Sequence, residues 1–600
     1  MKTEPAPVID TSRMTPEQRA ALELTESARE TAHAERGFVG GLFMGRVNWP
    51  ALRPFPQQQT GDREAGDAFL KKLGDFLREQ VDPDEIDRSG EIPDAVIDGL
   101  AKLGAFGIKI PKEYGGLGLS QTNYCRAAVM LGSYCGNLTA IISAHQSIGV
   151  PQPVLIFGTD EQKRRFLPRV AGGEISAFAL TETSVGSDPA KMETHAEPTA
   201  DGTHFVINGE KLWCTNGVKA GVIVVMARTA PKDGRNQITA FIVDMDMPGV
   251  EVVRRCHFMG LRALYNGVVR FTDVCVPREN ILLAEGKGLR VALTTLNTGR
   301  LTLPAACTGF AKRCLQISRQ WAAERVQWGA AIGKHAAIAD KLARMAANVF
   351  AMESMTLFAA SIVDRDKSAD VRLEAAMCKM WATERAWEMA DDTMQIRGGR
   401  GYETAQSLAA RGEPAIAVER MLRDSRINTI FEGSSEIMRL FIAREVLDPH
   451  LKVGGPVLNT RLPAGQRAAA AVKALGFYAR WYPLLWLPRA GYIDRAAHRL
   501  ARSLFHAMAR YGPKLEREQV LLGRFVEIGA EIFAMAATSS RAAALGDQRS
   551  KDLAEIFGKM ARLRIEARFH ALHHNTDRAG YRLSQRVLAG EFDWLDEGML

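Results

Sequence analysis

A single carboxylate frames the chemistry this chain could do. Glu432 stands in the run Ile430-Phe431-Glu432-Gly433-Ser434-Ser435-Glu436, with two large apolar residues before it and a glycine after. A carboxyl group held away from water has its charged form disfavoured. Its pKa then rises toward neutrality, which suits a general base that takes a proton from carbon. The plainer reading is a surface glutamate just ahead of a helix, where its charge favours the positive end of the helix dipole. The residues alone leave both readings open.

Other chemistries are excluded more directly. No G-x-G-x-x-G follows a strand pattern, and the Gly-Lys pairs at 286, 333 and 558 lack the glycine that a phosphate-binding loop places five residues earlier. H-E-x-x-H and G-x-S-x-G are both missing. His570 and His574 have the spacing of one helix face, with His573 beside them. A solvated helix surface accounts for them, and no metal site is expected.

These residues need a large scaffold. The chain has 600 residues, more than one hydrophobic core usually organises, so several domains are expected. Its 46% hydrophobic and 24% charged content excludes disordered and collagen-like chains. No run approaches about 18 consecutive apolar residues, so no membrane-spanning helix is expected. The opening MKTEPAPVIDTSRM carries acids and prolines and no apolar stretch, which speaks against a secretory signal or transit peptide. Eight cysteines without a C-x-x-C pair read as reduced thiols, hence a cytoplasmic protein. The net charge is +8, and Leu451 to Ala490 holds six bases and no acid. That concentration suggests one anionic contact surface and argues against a nucleic-acid partner.

Residues 1–65 read as a polar N-terminal arm. From 66 to 174 apolar residues recur at three and four, as in DAFLKKLGDFLREQV, which predicts an N-terminal helical domain. Between 175 and 288 the segments HFVINGEKLWCT, VIVVMART, ITAFIVDMD and GVVRFTDVCV are short, β-branched and separated by turn residues, predicting a middle β domain. Residues 289–450 return to alanine-rich helical runs. A Gly/Pro-bearing basic connector follows over 451–492, and an extra helical domain over 493–600.

Four stretches, in order and register, resemble the acyl-CoA dehydrogenase family. They are FALTETSVGSD (178–188), WCTNG (213–217), RVQWG (325–329), and QIRGGRGY (395–402) running on to RDSRINTIFEGSSEIMRLFIARE (423–445). FVGGLFMGRV from Phe38, AHQSIG (144–149), NTGR (297–300) and a helical domain beyond residue 450 are similar to the very-long-chain subgroup. The tail matches by position and helical character only. The resemblance implies a mainly α fold with a central β-barrel: N-terminal helical domain, middle β domain and C-terminal helical bundle carrying the base, with the additional helices behind.

The resemblance also implies FAD-dependent α,β-dehydrogenation of fatty acyl-CoA to trans-2-enoyl-CoA, the first step of fatty acid β-oxidation. Glu432 would take the α proton while a hydride passes to flavin N5. The backbone amide of Glu432 would help polarise the thioester carbonyl. Some relatives place the base on an earlier helix, at a position matching Arg300, which is a cation here. The implied cofactor contacts are Phe178, Leu180, Thr181, Ser187, Trp213, Cys214 and Thr215, with Arg325 and Trp328 reaching the cofactor across a homodimer interface and Gln395, Gly398 and Gly399 allowing close backbone approach to its pyrophosphate. Ser434 and Glu436 follow the base where the family commonly has Thr and Gln. Ser187, Asn297, Arg300 and Gly433 are the implied substrate contacts. Electrons would leave to an electron-transferring flavoprotein. The alternatives are an oxidase passing electrons to oxygen, or a catalytically idle scaffold that kept the fold.

Departures from the pattern bear on specificity. Thr139 and Ser143 stand where the very-long-chain enzyme has glycines, so long-chain or broad-range substrates are expected rather than the longest. The extra residues between Tyr402 and Arg423 read as an exposed loop. The segment 467–489 mixes Phe477, Tyr478, Trp481, Tyr482 and Trp486 with spaced bases, as a peripheral contact with a membrane's inner face would require. A hinge packed on its own tail is the alternative.

Overall fold

A computed structural model describes residues 37–232, 235–459 and 462–600. The opening fourteen residues and Arg461 of the basic connector lie outside them. The N-terminal helices begin with Thr60–Gln80, whose Phe69, Leu73, Phe76 and Leu77 fall on one stripe and enter the core. Local signals start and stop the helices there. Asp82 accepts from the Asp84 and Glu85 amides to open Pro83–Ser89, and Thr159 with Gln162 forms a reciprocal capping box on Asp160–Ala171.

Seven strands follow: β1 (Ser176–Ala179), β2 (His195–Pro198), β3 (His204–Cys214), β4 (Val222–Lys232), β5 (Arg235–Asp244), β6 (Val250–Arg255) and β7 (Gly267–Pro277). They form one curled sheet in the order β1-β4-β2-β3-β7-β6, with β5 also paired to β4. β1 runs parallel to β4, and β3 is antiparallel to β7 with register shifts between Ile207 and Gly209 and between Lys211 and Cys214. The second irregularity bends the strand just where the WCTNG run begins.

The C-terminal bundle contains Gly288–Gly299, Thr302–Glu324, Ala336–Arg365, Arg372–Arg397 and Ser435–Leu458. Ala336–Arg365 is long and apolar enough to cross a membrane by length and composition, yet 67% of its most apolar window is buried in the molecule. It is a core helix. Tyr492–Tyr511, Gln519–Leu545 and Gln548–Ala571 pack on the bundle, and a continuous apolar core joins them to it.

Two sequence boundaries move. The arm expected over 1–65 is, from Phe38 onward, structural: Phe38–Phe43 is a helix with every residue buried. The Phe38 ring meets Phe358 of the bundle at 5.3 Å and Phe533 of the extra helices at 5.4 Å. Gly529 is required there, because a Cβ would stand 2.5 Å from the Phe43 ring. The segment FVGGLF therefore works as an apolar plug between two helical layers, a role its short length conceals. Secondly, Gly454, Gly455 and Pro456 do not form a connector. The helix from Ser435 continues through Pro449 and Pro456 to Leu458. Packing of Ile442, Val446 and Leu447 in the common core outweighs the amide hydrogen bonds the prolines remove.

Candidate active site

Glu432 lies in a tight turn between the short 3-10 helix Arg426–Thr429 and the helix Ser435–Leu458. Its φ is +54° and that of Gly433 is +97°. Two successive left-handed residues are unusual, and for a side-chain-bearing residue the conformation costs on the order of 1 kcal/mol or more. Ser434 ends the turn by accepting from the Ile437 amide at 3.4 Å, capping the helix. The positive φ of Gly433 favours glycine, and a Cβ there would also have to displace the terminal methyl of Met438 at 2.3 Å.

The Glu432 carboxyl is sequestered, and its Oε2 is buried without a hydrogen-bond partner. Burial pushes its pKa above the ordinary glutamate value, against the opposing charges of Lys379 and Arg300. Lys379 comes from the helix Arg372–Arg397, and Arg300 from the turn between Gly288–Gly299 and Thr302–Glu324. Arg300 Nε donates to the Glu432 carbonyl at 3.3 Å and its second guanidinium nitrogen to Asn297 Oδ1 at 2.8 Å. Lys379 Nζ donates to the Gly433 carbonyl at 2.6 Å. Glu432, Gly433, Ser434, Arg300 and Asn297 are thus brought together as the sequence suggested. Glu436 is exposed at the first turn of its helix, with its pKa lowered by hydrogen bonds at the helix start.

Behind Arg300, Thr302 shares a hydrogen bond with Ser147 at 3.1 Å, and Ser147 another with Tyr124 at 2.9 Å. Ser147 belongs to AHQSI, which forms a π-helical turn at Ala144–Ile148. His145 anchors that turn. Its Nδ1 accepts from the Ser176 amide at 3.0 Å, leaving the proton on Nε2 to donate to the Phe106 carbonyl at 3.1 Å. Burial pulls its pKa down to about 4, so the ring is neutral. Through Ser176 the turn is fixed to the first residue of β1.

At the other end of β1, Leu180 and Thr181 are half-buried, and the Thr181 carbonyl accepts from the Leu212 amide at 2.9 Å. Lys211 Nζ donates to the Leu180 carbonyl at 3.3 Å and to Glu182 Oε1 at 2.7 Å. Phe178 is half-buried on β1 and Ser187 is exposed in the following loop. Trp213, φ +55°, leaves 56% of its surface open beside this loop. Thr215 Oγ1 accepts from Asn266 at 3.1 Å. Cys214 departs from the expectation: its side chain points into the sheet core with Val269 and Phe271, and burial raises its pKa to about 12. Strand alternation explains this, because Trp213 faces out. Only its backbone is available to a ligand.

A third cluster stands on an exposed end of the bundle. Trp328 tops the hairpin Val326–Gln327/Ala330–Ala331 and is 92% exposed. The guanidinium of Arg325 lies 5.9 Å from the Trp321 ring, with Arg397 at 4.5 Å and Arg400 at 5.3 Å on the same indole. Gln395, Gly398 and Gly399 are exposed beside them, and open space surrounds both glycines. Next to this cluster, the residues expected as a loop between Tyr402 and Arg423 include the helix Ala405–Ala410. They are tied down by Arg400–Glu413 and Arg411–Glu403 pairs. His570 and His574 stack at 4.4 Å, and no metal-binding group of three occurs among the described residues.

The helical bundle thus carries a sequestered carboxylate between two cations, and the sheet carries an outward-facing indole. The comparisons specify the class. Family profiles for the acyl-CoA dehydrogenase N-terminal, middle and C-terminal domains match residues 63–174, 177–274 and 286–447. A probable acyl-CoA dehydrogenase, FadE10, of Mycobacterium tuberculosis is 48% identical, over 98% of this chain and 94% of its own. The human mitochondrial very long-chain specific acyl-CoA dehydrogenase is 34% identical over 86% and 80%. The crystal structure of an acyl-CoA dehydrogenase complexed with FAD from Bacillus anthracis superposes with a TM-score of 0.70 at 30% identity, covering 85% of this chain and 88% of that one. The chain belongs to the acyl-CoA dehydrogenase family. It is an FAD-dependent oxidoreductase acting on acyl-CoA.

The residues present fit the cofactor. An exposed indole in left-handed backbone beside a fixed loop suits a flat ring, and the open space at Gly398 and Gly399, near three guanidinium groups, suits a pyrophosphate. Sequence reasoning missed Lys379, the Lys211–Glu182 pair and the Tyr124–Ser147–Thr302 chain. A signal existed for the two lysines. Each interrupts a run whose periodicity predicts burial, AAMCKMWA for Lys379 and INGEKLWC for Lys211.

Proposed function

We propose that the chain oxidises long-chain or a broad range of fatty acyl-CoA thioesters to trans-2-enoyl-CoA in fatty acid β-oxidation, with Glu432 as the base. The observation that carries this is the unpartnered, buried Oε2 of Glu432 in a strained turn pinned by two cations. A desolvated carboxylate accepts the α proton without first shedding water, and the Glu432 amide, on the same turn, helps hold the thioester carbonyl. Arg300, Asn297, Gly433 and Ser187 orient the acyl-CoA. FAD, when bound, supplies the acceptor for the hydride lost from the β carbon. Phe178, Leu180, Thr181, Trp213, Thr215 and the Cys214 backbone hold its ring, with Ser434 and Glu436 nearby.

Arg325, Trp328, Gln395, Gly398 and Gly399 serve the cofactor of a second copy in a homodimer, which accounts for a tryptophan left 92% exposed. An electron-transferring flavoprotein takes the electrons. Thr139 and Ser143, one helical turn apart and both half-buried, narrow the acyl pocket relative to glycines. Eight unpaired cysteines suit the cytoplasm, where the basic segment 467–489 rests on the inner membrane face. Anaerobic flavin bleaching by acyl-CoAs from C4 to C20 tests the reading. Glu432→Gln is expected to bleach roughly a thousandfold more slowly; bleaching at the unmutated rate overturns it.

A further inference from the structure

The turn that carries Glu432 has two carbonyls, and each is held by a different cation. Arg300 takes that of Glu432 and Lys379 that of Gly433. The two are not equivalent. The Arg300 guanidinium is shared with Asn297 and lies 5.4 Å from the Phe441 ring. Lys379 is the eighth residue of Arg372–Arg397, its side chain wholly buried, and its ammonium meets the turn at 2.6 Å. A buried ammonium is costly unless it does something for a nearby negative group. The groups around it are few: Glu432 and Arg300, the Cys307 thiol from Thr302–Glu324, and Glu384 on its own helix. Glu384 is committed to Arg439 at 2.8 Å. Glu432 is therefore the carboxylate that the ammonium serves.

We propose that Lys379 is a positioning residue for the reaction: bound to the Gly433 carbonyl and positively charged, it aims the strained turn and keeps the base in its carboxylate form. This rests on the reading of Glu432 as the base. The electrostatics agree. Burial raises the Glu432 pKa, and of the two opposing charges Lys379 is the larger. Burial in turn brings Lys379 down to about 8, with Glu432 the first influence holding it up. Below that pH Lys379 is an ammonium facing the base. Without the ammonium, Glu432 would keep its proton further up the pH scale, and a protonated carboxyl accepts nothing.

The test uses the flavin-loaded enzyme and two substitutions, Lys379→Met, which removes donor and charge, and Lys379→Gln, which keeps a donor. Two rates are followed from pH 5 to 9: anaerobic flavin bleaching, and exchange of the α proton with deuterated water in a thioester whose β carbon is replaced by sulfur. That analogue has no β hydrogen to lose, so exchange reads proton removal alone. In both variants the pH of half-maximal rate is expected to rise by one unit or more, with at least a tenfold loss at pH 7. Lys379→Arg, which restores the charge, is expected to bring the profile back. A profile that stays put in variants still holding flavin overturns the proposal, however slow they are. If no variant holds flavin, infrared difference spectra between unmutated protein and Glu432→Gln at pH 7 decide. A carboxylate stretch supports the proposal and a protonated-acid carbonyl stretch overturns it. Glu432→Gln working at full rate would remove the base itself. An inactive Glu432→Gln beside unmoved Lys379 profiles would remove only the positioning role.

Discussion

Lys211 and Glu182 face each other at 2.7 Å, both side chains closed off from water, directly beneath the loop that carries Leu180 and Thr181. Burial alone would raise the Glu182 carboxyl. The Lys211 ammonium, the Thr194 and Glu193 amides and their hydrogen bonds reverse this and hold it below the usual range. Lys211 itself is lowered by burial against the pull of Glu182. One pair thus fixes from below the backbone of the loop proposed to hold the flavin.

Lys211→Met is accordingly expected to destabilise the protein by about 3–5 kcal/mol, because it strands a buried carboxylate. Flavin should be lost on dilution at the same time. Adding Glu182→Leu should recover much of the stability without recovering flavin retention. Denaturant unfolding and flavin fluorescence read the two effects separately. A loss below about 1 kcal/mol in the single variant would show that the pair bears little of the loop's order.

Glu374 gives the molecule a stability that depends on pH. Its Oε1 accepts from the Val39 amide at 2.9 Å, its Oε2 has no partner, and burial raises its pKa to about 7. The folded state holds this proton where the unfolded chain, at 4.5, has released it. The contribution is complete below about pH 4.5, declines as pH rises, and is gone above about 7, a span of roughly 3 kcal/mol. Glu374→Gln should flatten that slope and melt higher than the unmutated protein at pH 8 while matching it near pH 4.5. Equal melting shifts at both pH values would contradict the assignment.

The connector's aromatic residues do not face outward together. Tyr478 stacks on His450 at 5.8 Å and meets Phe505 at 5.0 Å, while Trp481 donates to the Met44 carbonyl at 3.0 Å. The open face of Ala464–Trp481 instead shows Val472 and Leu475, each 72% exposed, and Leu484 and Trp486 continue it beside the exposed Lys473 and Arg480. Flotation with anionic vesicles should therefore fall about tenfold or more in Val472→Asp/Leu475→Asp, with no change in melting temperature. Unchanged flotation would leave this segment as a hinge packed on its own tail.

Local signals carried much of this protein. The stripe Phe69-Leu73-Phe76, the Thr159–Gln162 box and the β-branched runs of β4 and β5 each determine an element within a few residues of chain, because capping and periodicity act over single turns. The residue types around Glu432 allowed a sequestered carboxylate without choosing it over a surface one. What tertiary structure decided is where sequence-distant groups meet. Val39 lies 335 residues from the carboxylate that receives its amide, and Lys379 lies 54 from the carbonyl it pins. FVGGLF reads as an arm until Phe358 and Phe533 close around it. A lysine in an apolar helix reads as a flaw until the turn it serves is placed against it. Such pairings depend on how whole helices pack, and the energy of that packing is shared among many side chains rather than written in any one stretch.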